Sequence, residues 1–216
     1  MKVLVLSPYP ELLLPILEGA GDTFWCNDAY ADDRLRTTVA DFIVSFGYRK
    51  ILKGPVLSSY KDRIINIHIS FLPWNRGADP NFWSWFDDTP KGVSIHRIDA
   101  GIDTGNIIVQ DRVKSWPEST TLKSSHDRLM KMAVKLFADN WVNIRRDGLP
   151  TRKCEPEYGS YHKIADKEPW FSQSPLGWDT PVKEVRKLGK KFREQHETKN
   201  RSPRPRQHRQ QAFKEF

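Results

Sequence analysis

Cysteine is nearly absent from this chain of 216 residues. Its two thiols, Cys26 and Cys154, stand at no metal-ligand spacing and cannot build a disulfide framework, so a reducing cytoplasm is the default setting. The six histidines form no HxxxH-type pair, which predicts no metal centre. Long apolar runs are missing too. Nothing approaches the roughly 20 residues that a bilayer span requires, and mean hydropathy is −0.64. The opening Met1-Lys2-Val3-Leu4-Val5-Leu6-Ser7 is cut off by Pro8 and Pro10 too soon for a signal peptide and predicts a first buried strand. No membrane partner is expected.

Excess charge is missing from most of the chain as well. The net charge is +8, yet residues 183–216 hold 12 Lys/Arg against 4 Asp/Glu, which leaves 23 of each sign in residues 1–182. A neutral body offers no electrostatic footprint for nucleic acid, so such a partner is expected, if at all, only through the basic tail. From Lys199 onward the tail has no apolar period and should be disordered.

What the body does contain is a series of continuous Val, Ile and Phe runs: Val3–Ser7, Thr23–Cys26, Phe42–Phe46, Ile64–Ser70, Val93–Ile98 and Ile107–Asp111. Runs that do not alternate suit strands covered on both faces. Helical stretches at Glu11–Glu18 and Asp33–Val39 separate the early ones. The order predicts an α/β fold, a Rossmann-like twisted, mostly parallel sheet with an abbreviated N-terminal half. A long helix is predicted over Leu122–Arg146, with Thr120 or Thr121 as cap and a stripe of Leu122, Leu129, Ala133, Leu136 and Ile144. Gly148 and Pro150 stop it. Thr180-Pro181 opens a last helix edged by Val182, Val185, Leu188 and Phe192. Three parts result: a catalytic body at 1–150, an irregular packed extension at 151–179, and a basic helix with its tail at 180–216.

Two segments could carry chemistry. In Asn66-Ile67-His68-Ile69-Ser70-Phe71-Leu72-Pro73 an amide and an imidazole two residues apart share one strand face. An amide N–H stabilises developing negative charge without titrating, and an imidazole handles protons near neutrality. Taken alone, the pair also fits a strand-end Asn and a satisfied buried His. The second segment, Ile98-Asp99-Ala100-Gly101-Ile102-Asp103-Thr104-Gly105, is a Gly-bounded loop whose carboxylates suit either base chemistry or plain turn formation. His96, just before it, could be a further ligand to the site, but the structural reading is preferred. The Leu72-Pro73 bond can be cis or trans.

Asn66-x-His68-x-Ser70-x-Leu72-Pro73, the block Gly92-Val93-Ser94-Ile95-His96 through Asp103-x-Gly105-x-Ile107-Ile108, and Asp41–Leu52 together resemble the formyltetrahydrofolate-dependent formyltransferases. That family includes the glycinamide ribonucleotide, methionyl-tRNA and amino-sugar enzymes. The resemblance implies Asn66, His68 and Asp103 as catalytic residues and 10-formyltetrahydrofolate as co-substrate. It implies that the pterin lies against backbone at Phe46, Gly47, Tyr48, Lys50 and Leu52 and at Ile98, Asp99 and Gly101. The first loop, Ser7-Pro8-Tyr9-Pro10, lacks the Gly-rich turn that binds substrate phosphate in the glycinamide ribonucleotide enzyme. No counterpart of the second domain of the tRNA enzyme is expected in these 216 residues. The preferred acceptor is therefore a primary amine on a nucleotide-linked sugar, met by Tyr9, Trp74, Arg76 and Trp83 with Phe82 and Trp85 nearby. Hydrolysis of the formyl donor, or an inactive module acting through the basic tail, are the alternatives.

Overall fold

A computed structural model describes residues 1–26, 39–173 and 176–197. The helix expected at 33–39 falls outside those residues except for Val39, as does the tail from Lys199. Among the described residues there are eight strands: β1 (Lys2–Leu6), β2 (Thr23–Cys26), β3 (Phe42–Phe46), β4 (Ile64–His68), β5 (Arg76–Gly77), β6 (Gly92–Arg97), β7 (Ile107–Arg112) and β8 (Tyr161–His162). Six of them form the main sheet in the order β2-β1-β3-β4-β6-β7. The helices are α1 (Leu14–Gly19), α2 (Gly54–Ser59), α3 (Pro80–Phe86), α4 (Leu122–Ile144), α5 (Ile164–Phe171) and α6 (Val182–Glu197). No helix among the described residues is long and apolar enough to cross a membrane.

The first four strands of that order are parallel, as the continuous apolar runs imply. β6 and β7 instead run antiparallel to their neighbours. A parallel return needs a crossover that spans the sheet. Here the connection after β4 does not span it, because α3 packs with α6 instead, through Phe82, Phe86, Val182 and Val185.

Helix starts follow local chemistry. Pro15 has no N–H to donate and tolerates only a first turn, so the helix expected from Glu11 begins at Leu14, after a short 3-10 turn at Pro10–Leu12. Thr121 caps α4: its hydroxyl accepts from the Ser124 N–H at 3.1 Å while Ser124 Oγ accepts from the Thr121 N–H at 2.9 Å.

The two faces of the sheet differ. Val3, Val5, Phe42, Val44, Ile65, Ile67, Val93 and Ile95 meet Leu129, Ala133, Phe137 and Trp141 of α4 in one wholly apolar layer. Each such side chain contributes about 1.5–3 kcal/mol when fully buried. On the other face Leu4, Leu6, Ile43 and Ile64 pack under Val56 of α2. Along that same face the period-2 pattern then turns polar: Ser45 pairs with Asn66, Asn66 with His96, and His68 with Ser94. A polar patch in the middle of a covered sheet is the point where function has displaced packing.

Candidate active site

Asn66 and His68 project side by side from β4 into this patch, and His96 joins them from β6. The carboxylate comes from elsewhere. Because β6 is antiparallel, its end lies beside the start of β4, where the Ile98 N–H donates to the Ile64 carbonyl. The 98–105 loop must therefore run back along the face to bring Asp103 to Asn66 and His68. It turns at Asp103, φ +52°, a conformation Asp tolerates better than most residues. Inside the loop Asp99 Oδ1 accepts from the Gly101 N–H at 3.0 Å and from Thr104 Oγ1 at 2.6 Å, so its carboxylate locks the turn.

Asp103 is the hub. Its Oδ1 accepts from Asn66 Nδ2 at 3.2 Å and lies 3.3 Å from His96 Nε2. Its Oδ2 accepts from the Gly77 N–H at 2.8 Å and lies 3.7 Å from His68 Nε2. Burial alone would raise its pKa. The charge of His68, the hydrogen bond and charge of His96 and the Gly77 N–H outweigh that burial and hold the carboxyl well below the usual carboxylate range. His68 is fixed in turn, since its Nε2 donates to the Asn75 carbonyl at 3.1 Å.

The support for this hub comes from the extension after residue 150. Ser160 Oγ accepts from the Asn75 N–H at 2.9 Å, and the Arg76 and Ala78 N–H groups donate to the Ser160 and His162 carbonyls at 2.9 Å each. These bonds pair β5 with β8 and aim the Gly77 N–H at Asp103. Gly77 has φ +87°, and a Cβ there would lie 2.3 Å from the His162 carbonyl oxygen, so neither its conformation nor its surroundings admit a side chain. Cys154 completes the underside, its thiol donating to the Asp103 carbonyl at 3.7 Å.

The structure thus brings Asn66, His68 and Asp103 together and adds His96, read from the sequence as structural, with Asn75, Gly77 and Ser160, which the sequence did not single out for the site. The loop residues are split around the patch. Gly47, φ +67°, turns against Tyr9, and Tyr48 and Ile98 pack on the same apolar cluster as Leu52. The Phe46 ring points to the α4 side, leaving only its backbone for this face. Lys50 is exposed, and Trp74 and Arg76 are half-buried. Tyr9 lies beside the Gly47 turn, an edge-on neighbour of Phe46 at 6.3 Å, rather than with Arg76. Trp83 is a correction. It is buried, with His162 stacked on its ring at 3.9 Å, and Phe82 and Trp85 are likewise core residues of α3, so none of the three offers a free face. The Leu72-Pro73 bond is cis.

Comparison with known proteins places this arrangement. The methionyl-tRNA formyltransferase of Burkholderia orbicola is 34% identical over 170 residues, 78% of this chain and 50% of that protein. That of Finegoldia magna is 38% identical over 112 residues, 51% of this chain and 36% of that protein. The chain spans about half the length or less of these curated relatives. Among solved structures, the formyltransferase PseJ from Anoxybacillus kamchatkensis, in complex with UDP-4,6-dideoxy-4-formamido-L-AltNAc and tetrahydrofolate, superposes with a TM-score of 0.81 at 41% identity. The match covers 87% of this chain and 100% of that one. A phosphoribosylglycinamide formyltransferase from Streptococcus pneumoniae, at 22% identity and a TM-score of 0.52 over 64% of this chain and 94% of that one, shares the fold. The profile described as "Formyl transferase" matches residues 26–140, more than half of the sequence, and the chain belongs to the formyl transferase family.

Proposed function

We propose that this protein transfers a formyl group from 10-formyltetrahydrofolate to the primary amine of a nucleotide-linked amino sugar. The observation that carries the reading is the convergence of Asn66, His68 and Asp103 on one buried polar patch. The likeness to a solved enzyme bound to a nucleotide-linked formamido sugar, over 87% of this chain, supports the acceptor class.

The residues present fit the folate. Two loops rest on one apolar floor at Leu52, Tyr48 and Ile98, as a flat heterocycle requires, and the Leu52 N–H has no partner among the described residues. Gly47–Leu52 and Ile98–Gly101 would hold it by their backbone. When bound, the folate supplies the formyl carbon and an arylamine leaving group.

The chain's own groups then divide the work. The Asn66 amide donates to the formyl oxygen as negative charge builds there. Asp103, kept ionised, is a weak terminal base, and His68, whose Nε2 lies 3.7 Å from its Oδ2, takes the proton shed by the amine. The Asn75 carbonyl fixes the ring so that this proton enters at Nδ1, which has no partner among the described residues. On the acceptor side, the buried Nε of Arg76 has no hydrogen-bond partner among the described residues, and its guanidinium lies 5.8 Å from the centre of the exposed Tyr161 ring. An anionic nucleotide with a stacking base suits that pair.

Release of tetrahydrofolate, followed by absorbance with a panel of nucleotide-linked amino sugars, should depend on an added sugar. Release without any amine would identify a hydrolase. Folate binding with transfer only to methionyl-tRNA would replace the sugar. Failure to bind folate would leave a binding module.

A further inference from the structure

Asn66 Nδ2, His96 Nε2 and Asp103 Oδ1 form a nearly equilateral triangle with sides of 3.2, 3.3 and 3.3 Å. The chemistry of each corner is constrained. The Asp103 oxygen, ionised, only accepts, so Asn66 must present its nitrogen to it. His96 Nδ1 lies 2.7 Å from the Arg97 carbonyl oxygen, which also only accepts, so Nδ1 carries a hydrogen. The state of the ring is therefore decided at Nε2 alone.

Suppose first that Nε2 is a bare lone pair. It then faces a carboxylate oxygen at 3.3 Å, acceptor against acceptor. Asn66 would have to serve both with N–H bonds that diverge by about 120°, although the two acceptors lie only about 60° apart as seen from Nδ2. If Nε2 carries a hydrogen instead, His96 donates to Asp103, Asn66 gives the same oxygen one N–H, and its other N–H points out of the triangle. Only the second arrangement leaves Asn66 a donor for a substrate.

We propose that His96 is a positioning residue: by donating Nε2–H to Asp103 it keeps one N–H of Asn66 free for the formyl oxygen, whereas a neutral His96 captures the amide. The proposal rests on the formyl-transfer reading of the site. The titratable groups that face His96 are Asp103, from the loop, and His68, from β4, whose ring centroid is 6.4 Å away.

Isotope-edited NMR of the folded full-length protein reads the two ring nitrogens of His96 directly. Both should be protonated at the pH of maximal turnover, and a bare Nε2 at that pH overturns the proposal. Kinetics give a second arm. His96→Leu cannot capture the amide, but it removes the Nε2–H that holds the Asp103 oxygen to which Asn66 is bound, so kcat should fall roughly tenfold or more as the amide loses its orientation, with KM for the folate donor within about twofold. His96→Gln, whose amide can donate from nearly the Nε2 position without titrating, should recover most of that loss and remove the pH dependence that separates it from the wild type. Equal loss in both variants, each shown folded by its thermal melt, would make His96 a packing residue and sink the idea. Absent formyl transfer by the wild type would instead refute the activity, while the NMR measurement would still decide the state of His96.

Discussion

At Asn66 one amide nitrogen has two tasks, holding Asp103 and facing the substrate. Asn66→Ala should lower kcat by roughly 10²–10³-fold, the loss seen when one oxyanion donor is removed. Unchanged turnover would take the amide out of the mechanism. Asp103 gives a pH prediction. Its folded pKa is depressed, because burial is outweighed by His68, His96 and the Gly77 N–H, so the carboxylate stabilises the fold at every pH above its unfolded value near 3.8. That contribution disappears as the pH falls through the lower folded value. Asp103→Asn should therefore unfold at less urea than the wild type at pH 7, and the gap should close steadily below about pH 4. A gap of constant size down to pH 3 would mean that the loss is one of shape rather than charge. Asn66 and His68 were legible in the sequence because a spacing of two puts them on one strand face. His96 was not: its partners come from another strand and from a loop that doubles back, and no local spacing encodes either. Trp83 misled for a related reason, since in Phe82-Trp83-Ser84-Trp85-Phe86 the helical period does not tell an inward ring from an outward one.

The elements were the more readable level. Continuous β-branched and aromatic runs marked all six strands of the main sheet to within two residues, and the Thr-capped, Gly-Pro-stopped pattern marked α4. The direction of β6 was hidden, because hydrophobic pattern carries no sign of strand polarity. So was the pairing of β5 with β8, two residues each with no periodicity to read. The contact of α3 with α6 offers a test in which two effects compete. Gly189 sits inside α6, where Ala would ordinarily gain about 1 kcal/mol of helix propensity. A Cβ at that position would lie 1.8 Å from the Phe86 carbonyl oxygen and 2.6 Å from its carbon, backbone atoms at the end of a buried helix. Relieving such overpacking costs about 1–3 kcal/mol, so the clash should win. Gly189→Ala is expected to lower the Tm, and a raised Tm would show that α6 is free to move away from α3.

For the whole molecule, the charge map and the site map separate. Every group assigned to the candidate site lies between Tyr9 and His162, whereas the whole charge excess lies from Lys183 onward. The parts between them are not equivalent. The 151–179 extension supplies the Ser160 and His162 bonds that aim Gly77 at Asp103. Helix α6 buries Val182 and Val185 against Phe82 and Phe86, at about 1.5–3 kcal/mol for each aliphatic side chain fully buried. Three truncations should then behave in three ways. A chain ending at residue 150 should lose turnover outright, because the backbone bonds that fix β5 have no partner. One ending at residue 179 should lose several kcal/mol of stability and expose the aromatic face of α3, which dye binding and a lowered urea midpoint would report. A chain ending at residue 198 keeps α6 and every site residue, and its folate binding and turnover with a small amine acceptor should match those of the full chain. A fall of more than about tenfold in that last variant would mean that residues 199–216 reach the active site, and that the basic tail belongs to the catalytic unit.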